Sequence, residues 1–355
     1  MFEKREKTAL LAMSGGLDSS VCAYLLLEAG FEVVGVTMRL HDNPALLKKE
    51  EQDIQDAQEV ARILGFEHKV VDLRERFSEI VISNFCESYM KGLTPNPCVL
   101  CNKTMKFGSL HEMRKELGLE FLATGHYAHI EYSSKLNRYV LKQAKDKKKD
   151  QSYVLYHLSQ DALGHTYFPL GNLLKEEARE IAKKLGFSVS QKSESQDICF
   201  VLNNDYSGFI QERTNKEFLS GDIYFRNEKV GEHHGLIRYT IGQRKGIGVA
   251  YSEPLYVVQK DLQANRLIIG TKDELDAQTL YADDLNFIPF DTLKGTQEVV
   301  VKTHYGKRGQ KAQASLEESG LLKVCFVEPQ GGFAPGQAAV MYQGEYCIGG
   351  GTIVK

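Results

Sequence analysis

The stretch TPNPCVLCNK, Thr94 to Lys103, sets Cys98 and Cys101 in a C-x-x-C spacing, and Cys199 follows far along the chain in SESQDICF. A C-x-x-C pair fits four chemistries: half a zinc site, a redox dithiol, ligands of an iron–sulfur cluster, or a nucleophile beside an idle thiol. A second C-x-x-C or an H-x-x-H that would complete a zinc site is missing, although Cys199 can supply a third ligand. A different chemistry is written near the N-terminus, where Ala12, Met13, Ser14, Gly15, Gly16, Leu17, Asp18 and Ser19 follow an apolar run and open a helical pattern. Glycines there let the backbone approach an anion closely, and the N–H groups of a helix start favour phosphate. Ser14 and Ser19 add hydroxyl donors. Asp18 can cap the helix or help hold a Mg2+ ion that screens the phosphates. The motif lacks the Gly-Lys-Ser/Thr ending of a Walker loop and the G-x-G-x-x-G of a dinucleotide fold. Gly-Gly alone means only a tight turn, but Ser before it and Asp-Ser after it favour a phosphate loop.

These groups need elements to position them. TALLAM reads as a strand buried on both faces, DSSVCAYLLLEAG as a helix, and EVVGVTMRL as the next strand. Residues 46–64 form a helix with Ile54, Ala57, Val60, Ala61 and Leu64 on one face, ended by Gly65. HKVVDL, a helix to about Met90, the cysteine loop, a helix from Asn102 to Leu117 and the strand FLATGHYA continue the series. Such alternation implies an α/β, doubly wound parallel sheet, with ligands beyond the carboxyl ends of its strands. Around Glu131 the pattern turns to hairpin-like pieces, followed by a helix near Lys175 to Leu185. Beyond about Asp205 helical periodicity fades, and Gly-punctuated strands suggest a small β-rich central domain and a C-terminal β-barrel. The expected division is 1–205, 206–276 and 277–355.

The totals bound the class. A chain of 355 residues, 42% hydrophobic and 26% charged, suggests two or three ordinary globular domains. Its apolar runs are too short for a membrane span, and the charged-then-apolar start lacks a cleavage site, so no membrane or secretion role is expected. Seven scattered cysteines with no secretion signal argue against a disulfide framework and for the cytoplasm. Net charge is −3, but Lys142, Lys145, Lys147, Lys148 and Lys149 cluster, as do Lys302, Lys307, Arg308 and Lys311. Each group reads equally as a solvated loop or as a local patch for a phosphate backbone.

SGGLDS resembles the pyrophosphatase loop of the N-type ATP pyrophosphatases. TPNPCVLCNKTMKFG, LATGHYAHI, KDQSYVLYHL, SESQDICFV, GEHHGLIRYTIGQRKGIGV and APGQAAVMYQGEYCIGGGTI then come in the order seen in bacterial tRNA-specific 2-thiouridylases, over practically the whole chain. The resemblance implies ATP-dependent conversion of the wobble uridine of Lys, Glu and Gln tRNAs to 2-thiouridine. It implies that Ala12 to Ser19 cradle the phosphates of ATP, and that Met38 and Gly125 flank the adenosine. Cys199 would carry a persulfide received from a sulfur donor, and Cys101 would resolve it, leaving a Cys101–Cys199 disulfide. Thiols in such roles work best with depressed pKa values, and Asn102 opening a helix after Cys101 fits that requirement.

The same resemblance assigns Asn96 and Pro97, with Cys98 beside them, to the target base, which must be flipped from its stack. His126, Lys149, Asp150, Gln151, His304, Tyr305 and Gln337 match tRNA-contacting positions, although an isolated His126 reads more simply as a satisfied core residue. The family more often has Arg-Tyr where His304 and Tyr305 stand, which weakens that contact here. Many members have Asp where Cys98 stands. Cys98, Cys101 and Cys199 can therefore alternatively hold a [4Fe–4S] cluster with one open iron. A small-molecule synthetase would account for SGGLDS but for neither the cysteines nor the basic segments. A tRNA-docking protein with a dead site is opposed by the intact Ser14, Asp18, Cys101 and Cys199.

Overall fold

The computed structural model describes residues 7–187, 189, 198–306 and 308–354. Its first part alternates as expected: β1 (Lys7–Ala12), α1 (Leu17–Glu28), β2 (Phe31–Arg39), α2 (Pro44–Leu64), β3 (Glu67–Asp72), β4 (Phe121–Ala123), a hairpin of β5 (Ala128–Ser133) and β6 (Arg138–Gln143), and β7 (Thr166–Tyr167). The sheet runs β3–β2–β1–β4–β7 and every pairing is parallel. Side chains alternate across it. Ala9 and Leu11 pack with α1 and α2 on one face, whereas Leu10, Val36 and Leu122 pack with Phe107 and Leu110 on the other. Burial on both faces is why β1 reads as an unbroken apolar run.

Three boundaries differ from the sequence reading. α2 begins at Pro44, because the Asn43 side chain accepts from the Ala45 N–H (2.9 Å) and proline is preset for the first helical position. FLATGHYA is a strand only to Ala123 and then leaves the sheet toward the hairpin. The helix expected from Asn102 starts at Pro97 and runs through residue 116, with Asn96 as its N-cap and π-helical winding over Asn102–Ser109. Cys101 thus stands one turn inside a helix, and the expected dipole at its position belongs to the first turn, where Cys98 sits.

The middle of the chain folds into a mixed sheet, ordered Tyr256–Asp261, Arg266–Gly270, Gly221–Phe225 and Glu228–His233. The last part is the expected antiparallel barrel, closed where strand Asp276–Phe287 pairs with both Leu322–Gly331 and Tyr346–Ile353. The β5–β6 hairpin adds to this barrel, pairing Lys142 with Tyr346 and Leu141 with Cys347. One hydrogen-bonded sheet therefore joins the nucleotide-type domain to the barrel. Hairpin periodicity does not reveal which edge a hairpin will join.

Candidate functional site

At the end of β1 the Met13 N–H donates to the Val36 carbonyl (2.8 Å) and the Thr37 hydroxyl donates to the Met13 carbonyl (2.9 Å). These bonds launch the loop from the carboxyl edge of the sheet, where a parallel fold places its ligand. Ser19 folds the loop: its Oγ accepts from the Ser14 N–H (3.2 Å) and donates to the Gly16 carbonyl (3.1 Å). Gly15 has φ +62°, and a Cβ there would lie 2.0 Å from the Asp53 carbonyl oxygen. Only glycine fits. Met13 and Leu17 are buried beneath the loop, and Ser14 is its exposed residue.

Asp18 does not cap α1. The N-cap is Gly16, with no side-chain bond to the helix start. The Asp18 carboxylate instead accepts from the Lys175 ammonium at both oxygens (2.7 Å each) and from the Tyr127 hydroxyl (2.9 Å). Attraction to a buried cation outweighs the weaker pull of the helix end. With Lys175 and Tyr127 on its oxygens, Asp18 as arranged does not fit the expected role of magnesium ligand. Gly125 touches the same turn: a Cβ there would come 3.2 Å from both Asp18 Cβ and the Ser19 nitrogen. Lys175 and Tyr127 escaped the sequence reading. A signal for Lys175 existed, because it shares a buried helical stripe with Ala178 and Ala182, positions where a charge needs a partner.

Met38, at the end of β2, packs against two apolar clusters, one under the sheet and one containing Cys101 and Phe200. It thereby connects the carboxyl edge of the sheet with the cluster that holds Cys101. Cys98 is exposed, Cys101 half-buried and Cys199 exposed, and all three are free thiols. Desolvation pushes Cys101 up to about 11 and Cys199 up to about 12. Cys101 and Cys98 add to the rise at Cys199, as Cys98 does at Cys101. Burial also raises Cys98. Surrounding protein displaces water from these sulfurs even where one side of a thiol opens to solvent. The expectation of depressed pKa values is therefore corrected: the thiols rest protonated. Lys106 opposes the rise at each of the three. It is half-buried on the π-wound segment that follows Cys101. Among the described residues no group of three His, Cys, Asp or Glu side chains is arranged to hold a metal ion. Residues 193–197 of the SESQDICF motif lie outside the described residues.

Asn96 uses its side-chain oxygen to accept from the Val99 N–H (3.4 Å), and Pro97 is buried as the first helical residue. His126 is buried, bonded through Nδ1 to the Thr124 hydroxyl (2.6 Å) and flanked by the rings of Phe107 and Phe168. Burial, then Lys106 and His157, hold its pKa well below the usual value. This is a neutral core imidazole, and it offers no surface to RNA in this arrangement. Asp150 is also buried, taking N–H or hydroxyl bonds from Gln143, Ala144 and Ser152 and an ion pair from Lys302 in the barrel (3.4 Å). Gln151 clamps the Tyr127 backbone, accepting its N–H (2.9 Å) and donating to its carbonyl (2.8 Å). Asp150 and Gln151 thus hold the lysine-rich loop in place, with Lys147 and Lys148 exposed and Lys149 half-buried. His304 is half-buried beside Thr303, and Tyr305 is exposed. Gln337 donates to the Thr94 carbonyl (2.9 Å), tying the barrel to the cysteine loop.

Three family profiles cover nearly all of the chain: a tRNA methyl transferase HUP domain over residues 7–203, a tRNA methyl transferase PRC-barrel domain over 207–271, and an aminomethyltransferase beta-barrel domain over 277–353. The chain is 43% identical over 354 residues to the tRNA-specific 2-thiouridylase MnmA 1 of Caldanaerobacter subterraneus subsp. tengcongensis, covering 98% of this chain and 97% of that protein. It is 44% identical over 357 residues to the tRNA-specific 2-thiouridylase MnmA of Carboxydothermus hydrogenoformans, covering 98% of each. Among solved structures it is similar to the U34-tRNA thiolase NcsA from Methanococcus maripaludis with its [4Fe-4S] cluster, at TM-score 0.38 and 19% identity over 60% of this chain and 67% of that one. That likeness is too distant to bear on the chemistry here.

Proposed function

The chain belongs to the tRNA-specific 2-thiouridylase family, and from that premise we propose a division of labour among its residues for the ATP-dependent 2-thiolation of the wobble uridine of tRNA. The uracil O2 attacks the α-phosphate of ATP, pyrophosphate leaves into the loop of residues 12–19, and AMP becomes the leaving group at C2. The protein's part in this step is positioning and charge stabilisation. Met38 and Gly125 border the adenosine. Magnesium enters with the triphosphate as part of the substrate, and no step is routed through Asp18 as its ligand.

Sulfur then comes from Cys199, loaded as a persulfide by a sulfane-sulfur donor such as a cysteine desulfurase or a relay protein. The terminal sulfur attacks C2 and displaces AMP. The Cys101 thiolate attacks Cys199 Sγ, the thiocarbonyl is released, and a Cys101–Cys199 disulfide remains for an external dithiol to reduce. The observation that carries this reading is the packing of Cys101 in the same apolar cluster as Ile198 and Phe200, the chain neighbours of Cys199, with Lys106 favouring the thiolate at each of Cys98, Cys101 and Cys199. Among the described residues no three His, Cys, Asp or Glu side chains are grouped to hold a metal ion, and no step is derived through a [4Fe–4S] cluster.

The tRNA, of Lys, Glu or Gln type, lies across the lysine-rich loop, with Tyr305 and His304 as a second contact and the Asn96–Cys98 turn at the target base. Among the described residues no helix is long and apolar enough to cross a membrane. A cytoplasmic location follows from the proposed substrate.

Anaerobic purification with iron and sulfide assays, followed by thiolation of tRNA lacking 2-thiouridine, tests the sulfur route. Cys101→Ser and Cys199→Ser abolish thiolation; Cys199→Ser leaves ATP-dependent pyrophosphate release and adenylated tRNA detectable, and Cys98→Asp stays active. Stoichiometric iron lost together with activity in Cys98→Asp would overturn the persulfide route.

A further inference from the structure

Asp18 is the second residue of α1, within its first turn. A carboxylate there ordinarily turns onto the N–H groups of the helix start, which carry the positive end of the helix dipole. Here it is drawn the other way. Lys175 reaches both its oxygens at 2.7 Å and the Tyr127 hydroxyl reaches one at 2.9 Å. The ammonium also stands over the Tyr127 ring, 5.6 Å from its centre. Lys175 is only 5% exposed. Burying a lysine on the Ala178–Ala182 stripe costs desolvation that an apolar side chain would avoid, so packing alone does not account for it. Both partners are themselves fixed: the Lys175 N–H donates to Asp146 (3.1 Å), and Gln151 clamps Tyr127.

We infer that Lys175, together with Tyr127, is a positioning residue that holds the Asp18 carboxylate away from the amino end of α1 and so keeps the phosphate loop open to ATP. The inference rests on the reading of residues 12–19 as the ATP site. Without Lys175, Asp18 turns onto the helix start and acts as a built-in anion that competes with the triphosphate. Removing the charge of Asp18 as well relieves that competition.

The test is ATP binding to the full chain without tRNA, by calorimetry, for wild type, Lys175→Met, Asp18→Asn, the double variant and Tyr127→Phe. Lys175→Met weakens ATP binding by about tenfold, and the double variant binds like Asp18→Asn alone. Tyr127→Phe weakens binding by roughly two- to threefold. Equal affinity of Lys175→Met and wild type overturns the inference. So does a double variant as weak as Lys175→Met, which means that Lys175 acts on the phosphates directly or only packs. If Lys175→Met fails to fold by circular dichroism, Tyr127→Phe with and without Asp18→Asn provides the same comparison. A wild type that binds no ATP refutes the ATP-site reading instead.

Discussion

Gln337 in the C-terminal barrel donates its side-chain amide to the Thr94 carbonyl at 2.9 Å, across 243 residues of sequence. The same turn supplies the Pro335 carbonyl to the Thr94 N–H (2.7 Å), and Gly336, at φ +94°, lies so close that a Cβ would come 3.1 Å from the Thr94 backbone. The barrel therefore sets the start of the loop that carries Cys98 and Cys101. Gln337→Ala is expected to cost about 1 kcal/mol of stability and to lower the thiolation rate more than the rate of ATP binding. Thermal melts and single-turnover thiolation check this, and an unchanged rate would remove the barrel from loop positioning.

The protonated thiols give a pH dependence. With Cys101 held up at about 11 and Cys199 at about 12, the thiolate fraction at neutral pH is small and grows about tenfold per pH unit through pH 7–10. Alkylation by iodoacetamide should rise over that whole range without a plateau. Lys106→Met should slow it by roughly three- to tenfold at pH 8, because the cation that favours all three thiolates is gone. A plateau below pH 9 in the wild type would contradict the assignment.

Buried histidines set the acid limit of the fold. Burial holds His111 and His157 down to about 4 and His126 well below its ordinary 6.5. Between these folded values and the unfolded 6.5 the unfolded chain binds more protons, so stability is complete above pH 6.5 and falls as pH drops toward 4. Thermal melts from pH 8 to pH 4 should show a loss on the order of several kcal/mol. His126→Asn should flatten that slope while lowering stability at pH 8.

Two glycines separate loop function from stability. Gly125→Ala places a methyl group 3.2 Å from Asp18 Cβ and the Ser19 nitrogen, a squeeze that the first turn of α1 must yield to. ATP binding should weaken by about tenfold while the melting temperature moves by only a few degrees. Gly15→Ala, with a Cβ 2.0 Å from the Asp53 carbonyl oxygen, should abolish ATP binding outright. Calorimetry beside thermal melts distinguishes the two.

Local patterns were readable because their cause is local. The unbroken apolar run of β1, the 46–64 stripe and the glycine at 65 follow from two-sided burial, side-chain period and backbone freedom, and they match the sheet and helices found. The start of the cysteine helix is not legible locally, because Asn96-Pro97 fits a base-contacting turn as well as an N-cap followed by a first helical residue. His126 illustrates the opposite limit. A histidine in ATGHYA is compatible with a surface or a core, and only the rings of Phe107 and Phe168 around it decide for the core.

The sequence by itself determined the class of fold, the glycine turn between β1 and α1, and the family, since these reside in contiguous motifs whose spacing is their geometry. Tertiary structure decided the rest: that Asp18 faces Lys175 rather than its own helix, that Asp150 and Gln151 brace a loop, and that Gln337 holds Thr94. These pairings join residues far apart in the chain. A charge or an amide finds its partner only after the sheet, the hairpin and the barrel have brought the two together, and no local pattern encodes that meeting.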